Sequence, residues 1–255
     1  MVRAEFPEVS YVRRSPVLKH LEHFNLCIEE VKSDYYCLFH DDDVMDPNFV
    51  EVMSQCIQDY PAAAAYACNA RIENNGKLEP RASFRSFREY ELIETPRNLA
   101  ERYFARAQSG IAPNPSYIYS RRLAGEERFL VDGGKYADVT LLLDIVQKGT
   151  IVWINRSLMT YRIHGGNVGS IESLRDRLRF LSYLKKNRPI FGEGLLEDYR
   201  CSFIYKKIVK NDLVVHAERR RIAKSFLSAC RFSRYARLDY YKALAVRTLV
   251  KWVAE

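Results

Sequence analysis

Ser33-Asp34-Tyr35-Tyr36-Cys37-Leu38-Phe39-His40-Asp41-Asp42-Asp43-Val44-Met45-Asp46-Pro47 is the segment from which the architecture of this 255-residue chain can be worked out. Residues 35–39 are aromatic or apolar without a break, the pattern of a buried strand. That strand stops in three consecutive carboxylates, Asp41, Asp42 and Asp43. Like charges gathered at one strand end repel and resist burial, so they require a positive partner. A divalent cation with oxygen preference, Mn2+ or Mg2+, meets that need and leaves positions open for phosphate oxygens. A solvated acidic turn has the same composition. The strand before the triplet and the Pro47 helix start after it favour the cation.

On the amino-terminal side, Val9-Ser10-Tyr11-Val12-Arg13 reads as a short strand. Residues 17–32 read as a helix, with Leu18, Leu21, Leu26, Ile28 and Val31 forming its apolar stripe. On the other side, residues 47–59 form an amphipathic helix for which Asp46 is the candidate cap. Residues 62–72 are a second apolar strand closed by Asn74-Asn75-Gly76. A polar, Arg-rich stretch over 80–108 contains a helix over 96–107, and Pro113-Asn114-Pro115 leads into a strand over 116–119. Gly133-Gly134 precedes Tyr136-Ala137-Asp138, a helix over 139–147 and a strand over 150–154, after which come Leu158-Met159-Thr160-Tyr161-Arg162-Ile163-His164 and a loop at Gly165-Gly166. Strands alternate with helices, which predicts an α/β layered domain with ligands at the strand carboxyl ends. From residue 172 onward the patterns are helical only.

The apolar share of 47% excludes a disordered chain, and six cysteines without metal-ligand spacing read as reduced thiols. No stretch of about 18 apolar residues could span a bilayer, and no signal peptide opens the chain. Residues 172–255 carry a net charge of about +11, whereas the preceding part is about −3. Two units follow: 1–171, and a basic helical region over 172–255.

Three polar segments stand at the ends of apolar elements: His40-Asp41-Asp42-Asp43, Tyr136-Ala137-Asp138, and Tyr161-Arg162-Ile163-His164-Gly165-Gly166-Asn167. Singly, Asp138 could be a helix cap, His164 a surface histidine and Arg162 the partner of an acidic neighbour. In this order they resemble the family-2 glycosyltransferases, which use the GT-A nucleotide-sugar fold. The resemblance covers roughly residues 9–170. It is carried by the 33–47 segment, by Tyr136-Ala137-Asp138 with Leu141-Leu142-Leu143, and by Tyr161-Arg162-Ile163-His164 with Asn167 and Ser170.

The resemblance implies a GT-A-like (Rossmann-like) mixed sheet flanked by helices, with a C-terminal helical extension. It implies inverting, metal-assisted transfer from a nucleotide-sugar donor to a hydroxyl of a saccharide or lipid-linked acceptor. Asp138 would be the catalytic base. Asp42, Asp43 and His164 would hold the metal, His40, Asp41 and Arg162 would meet the donor, and Asn114 and Ser116 the acceptor. The family's first DxD aspartate falls on His40, which pairs it with Asp42; a shift by one gives Asp41 with Asp43, and both registers remain open. The family's front unit of strand, helix and strand has no counterpart here, so an N-terminally incomplete domain is expected.

Two other functions fit the same residues: an inactive GT-A-like remnant serving as a binding module, and a metal-dependent phosphoester hydrolase. The basic region admits three readings: packing on the catalytic domain, attachment to an anionic membrane surface, and nucleic-acid binding. The second suits an enzyme of cell-surface polysaccharide biosynthesis at the cytoplasmic face of the plasma membrane. The third lacks any zinc, homeodomain or RNA-recognition signature.

Overall fold

The computed structural model describes residues 2–104, 110–125, 127–165, 174–191, 194–196 and 199. Two long strands organise it, β3 (Ala65–Asn74) and β7 (Ile151–Ile163), which run parallel. Each changes neighbours along its length. The first half of β3 pairs with β6 (Tyr117–Ser120) and its second half with β4 (Lys77–Ala82). The first half of β7 pairs with β5 (Tyr90–Ile93) and its second half with β2 (Val44–Met45). With β1 (Tyr35–Cys37) on β6, a seven-stranded mixed sheet results, its main path running β1-β6-β3-β7-β2.

The central strands are buried on both faces, which is why their sequences are apolar without alternation. Ala65 and Ala67 of β3 and Ile151 and Trp153 of β7 join one core. Their neighbours Tyr66, Cys68, Val152 and Ile154 join the other, as the two-residue period of a strand requires. The helix α3 (Phe49–Asp59) covers this second core with Phe49, Met53 and Cys56. The first is covered by α2 (His20–Glu30), α4 (Pro96–Phe104) and α6 (Ala137–Ile145), together with Phe180 and Leu184 of α7 (Leu174–Lys186). Burying each such large apolar side chain stabilises the fold by about 1.5–3 kcal/mol. Residues Leu141, Leu142, Leu143 and Ile145 leave α6 apolar around its circumference, and the helix is accordingly enclosed.

Several expectations are corrected. Residues 9–13 form no strand: Val9 and Val12 are exposed, and no described strand lies beside them. Alternating side chains alone do not make a strand when nothing pairs with the backbone. Asp46 does not cap α3, whose N-cap is Asn48 without a side-chain bond; the Asp46 carboxylate pairs with Arg71 instead. The strand expected over 150–154 runs on to Ile163 as β7, and β4 and β5 are strands that the sequence pattern did not indicate. The Asn74-Asn75-Gly76 turn is present, with φ of 49° at Asn75 and 79° at Gly76, the left-handed pair that a two-residue hairpin needs. Among the described residues no helix is long and apolar enough to cross a membrane.

Buried Asn69 ties β3 to the segment before β5. Its Nδ2 donates to Phe84 O at 2.8 Å and Asn155 Oδ1 at 3.0 Å, while its Oδ1 accepts from the Phe84 and Ala70 amides at 3.1 and 2.9 Å. Replacing it by alanine strands buried backbone groups. Asn69→Ala is expected to lower the free energy of unfolding by about 2–4 kcal/mol, read as a lower urea midpoint at unchanged slope.

Candidate active site

The triplet is placed by the shortest strand of the sheet. Val44 and Met45 pair antiparallel with Thr160 and Met159, and the Asp46 amide donates to Leu158 O at 2.9 Å. Arg71 of β3 fastens the same corner: it donates to Ser157 O and Thr160 Oγ1, both at 3.2 Å, and pairs with Asp46. The turn that carries the acidic residues is thereby held against the carboxyl end of β7.

Within this turn the three aspartates are not equivalent. Asp41 is exposed to solvent at the mouth of a cleft. Asp42 Oδ2 lies 3.1 Å from His164 Nε2, just past the end of β7. Asp43 is only 8% exposed, and its Oδ1 accepts the Arg162 amide at 2.9 Å. Its Oδ2 is buried with no hydrogen-bond partner among the described residues, 3.9 Å from His40 Nδ1. Burial pushes the Asp43 carboxyl up to about 6; the neighbouring charge of Asp42 adds to this, while the Arg162 amide opposes it. An acidic oxygen buried without a donor is what a cation-binding turn presents, so the residues fit a divalent ion. Ligand atoms of His40, Asp42 and Asp43 all lie within 4.8 Å of one another. The His40 ring stacks on Phe24 with centroids 5.5 Å apart, and burial lowers its pKa below the ordinary value.

Asp138 reaches the cleft from the other side of the molecule's sequence. It sits in the first turn of α6, where its Oδ1 accepts the Val139 amide at 2.9 Å. The 3-10 turn before it (Val131–Tyr136) contains Gly134 at φ 57°, with Asp176 Oδ1 of α7 only 2.5 Å from where a Cβ would stand. Glycine is therefore required there. Asp176 also accepts the Lys135 amide at 3.3 Å, and Tyr183 of α7 donates to Asp144 of α6 at 2.5 Å. Burial pushes the Asp138 carboxyl up to about 6 against the opposing Val139 amide and the charge of Lys135.

One cleft of 1390 Å³ is lined by His40, Asp41, Asp42, Asp138, Tyr161 and His164. The Tyr161 hydroxyl has its pKa raised first by burial and then by the charges of Asp43, Asp138 and Asp42. Asn114 lines it too, its Nδ2 3.4 Å from His40 Nε2.

Two expected residues are not brought there. Arg162 turns its side chain to the opposite face of β7 and pairs with Glu73 at 3.4 Å, because side chains alternate along the strand and Tyr161 and Ile163 hold the cleft side. Its backbone amide bonds Asp43, and its guanidinium adds a weaker positive charge nearby. Ser116 is fully buried, its hydroxyl donating to Pro113 O at 2.7 Å. Asn167, Ser170 and the basic clusters beyond residue 200 lie outside the described residues. Phe24, Lys135, Asp176 and Arg179 line the cleft without having been anticipated. The signal for Lys135 was its place beside Gly133-Gly134; Asp176 and Arg179 sit on an amphipathic helix like any solvated pair.

A mixed sheet with an acidic turn at the end of β1 and a carboxylate at a later helix start, both on one cleft, is the GT-A-like fold. Residues 2–122 match the family described as Glycosyl transferase family 2, and the resemblance read from the acidic triplet thereby holds. Among solved structures, that of S. aureus TarS 1-349 superposes with a TM-score of 0.52 at 11% identity, over 82% of this chain and 58% of that one. The chain thus spans less than two thirds of that structure, and the likeness is one of fold. No curated protein matches the chain.

Since Arg71 joins three partners of the triplet's corner, Arg71→Met is expected to cost about 1–3 kcal/mol in unfolding free energy. Arg71→Lys should recover only part of this, because an ammonium cannot reproduce the planar fork. Thermal unfolding of the three proteins checks the order.

Proposed function

We propose that this cleft transfers a sugar from a nucleotide-diphosphate donor to a hydroxyl group of a saccharide or lipid-linked acceptor, with inversion at the anomeric carbon. The observation that carries the reading is that a metal-competent acidic turn and a separate carboxylate of raised pKa line one cleft. Asp42 and Asp43, with a histidine, would hold a divalent cation. When bound, such an ion offsets the negative charge that gathers on the leaving diphosphate.

The chain's own residues account for the remaining requirements. Asp138, ionised, accepts the proton of the acceptor hydroxyl as its oxygen attacks the anomeric carbon. A general base of this kind contributes roughly 10²–10⁴ in rate. Its raised pKa makes it a stronger base than an exposed aspartate. Asn114 offers an amide to the acceptor's hydroxyls, and Lys135 and Arg179 supply positive charge at the Asp138 end. Asp41, exposed at the mouth, is the candidate for polar contact with the donor. Residues 1–171 form the transferase unit in this reading. Residues 172–255 are its basic extension, the first helix of which is docked on the core. A cytoplasmic position at the membrane surface rests on that extension's charge.

Transfer assays with UDP-, GDP- and dTDP-sugars and manganese test the proposal. Asp138→Asn is expected to lower kcat by about 10²–10⁴ while nucleotide affinity, measured by calorimetry, stays within twofold or so of the parent. A parallel loss of affinity would make the residue structural.

The base works only when ionised, so the rate of the parent protein is expected to rise as pH increases through about 6 and then level off. A rate already flat between pH 4.5 and 7, roughly, would remove Asp138 from the role.

A further inference from the structure

We infer that His40 is itself a ligand of the cation, making the site a mixed imidazole–carboxylate centre that prefers a borderline transition-metal ion to Mg2+. The inference rests on the metal-assisted reading of the cleft and specifies which class of ion that reading involves. In the register that pairs it with Asp42, His40 takes the first position of the acidic motif, with a nitrogen donor in place of a carboxylate oxygen.

Three independent observations point the same way. The Asp43 carboxylate is buried, and its Oδ2 has no hydrogen-bond partner among the described residues, so it is an anionic ligand in waiting. His40 Nδ1 stands 3.9 Å from that oxygen, too far for a hydrogen bond and within the about 4.2 Å that two ligands on one ion with bonds of about 2.0–2.2 Å can span at most. Finally, the ring is held in place from outside the cluster: Phe24 stacks on it at an interplanar angle of 11°, and the Asn114 amide lies 3.4 Å from Nε2. Turned end for end, that amide accepts Nε2–H and leaves the Nδ1 lone pair facing Asp43, the outer-sphere arrangement that orients a metal-binding histidine. Asp42 completes the set. His164, engaged with Asp42, lies at its edge.

The consequence is chemical selectivity. Mg2+ demands oxygen ligands and sheds its water reluctantly, whereas imidazole suits later first-row ions, whose affinities rise from Mn2+ through Co2+ to Ni2+. Replacing one carboxylate oxygen with a ring nitrogen also removes a negative charge, which weakens the hold on a hard ion most.

The test uses the full chain stripped of metal, with no nucleotide present. Calorimetry with Co2+ and Mg2+ is expected to show Co2+ bound at least about tenfold more tightly. Pulsed electron paramagnetic resonance of added Mn2+ is expected to show a directly bound 14N. That coupling should persist in His164→Ala and vanish in His40→Asp, and His40→Asp should narrow the Co2+ to Mg2+ ratio by about tenfold. The parent measurements alone already bear on the claim, should either variant fold poorly. No bound ion, equal affinities for Co2+ and Mg2+, absence of nitrogen coupling, or coupling lost only in His164→Ala would each overturn it. Sugar transfer supported equally by Mg2+ with no nitrogen coupling would sink this inference while leaving the transferase proposal standing.

Discussion

The acidic side of the candidate site depends on one short backbone pairing, the two residues Val44 and Met45 laid against Thr160 and Met159. Without it the acidic triplet would be a charged loop free to relax into water, and its mutual repulsion would drive it there. The pairing is too short to persist alone. It is kept by the Arg71 corner on one side and by the Asp43–Arg162 backbone bond on the other. Energetically this is an exchange: burial of Asp43 is unfavourable, and the donated Arg162 amide offsets part of that cost.

The parallel pair β3 and β7 explains why the chemistry collects where it does. Both strands end on the same side, and the cleft opens beyond their carboxyl ends through Ile72, Tyr161 and Ile163. Two halves of the site then arrive from opposite flanks of the sheet. The acidic turn comes with α3 and β2, and Asp138 comes with α6, itself seated by α7.

Much of this was legible in the residues. The apolar run 35–39 stopping in three aspartates, the Asn74-Asn75-Gly76 turn and the leucine-rich helix after Asp138 each carry a local physical signature, and the structure realises all three. What failed to show has physical reasons too. The direction of the Arg162 side chain depends on the register of β7 against β3, which shifts between Asn69 and Arg71, and no local pattern reports a shift of that kind. Strand β4, Lys-Leu-Glu-Pro-Arg-Ala, has little apolar character because it lies at the sheet's margin. Ser116 follows Pro113 and Pro115, and the 3-10 turn over Asn114–Ser116 folds its hydroxyl inward onto Pro113 O. His40 appeared a departure from a motif; only with Asp43 Oδ2 beside it does the ring acquire a chemical role.

Gly134 has a broader implication. Its left-handed backbone lets a carboxylate of α7 touch the turn that aims Asp138, so the placement of the Asp138 carboxylate depends on a helix some forty positions downstream. The acidic turn is held instead by β7 and Arg71. The two ends of the candidate site are therefore anchored by different elements, α7 behind Asp138 and β7 behind the acidic turn. A scaffold with two separately anchored ends is free to change partners on one without rebuilding the other.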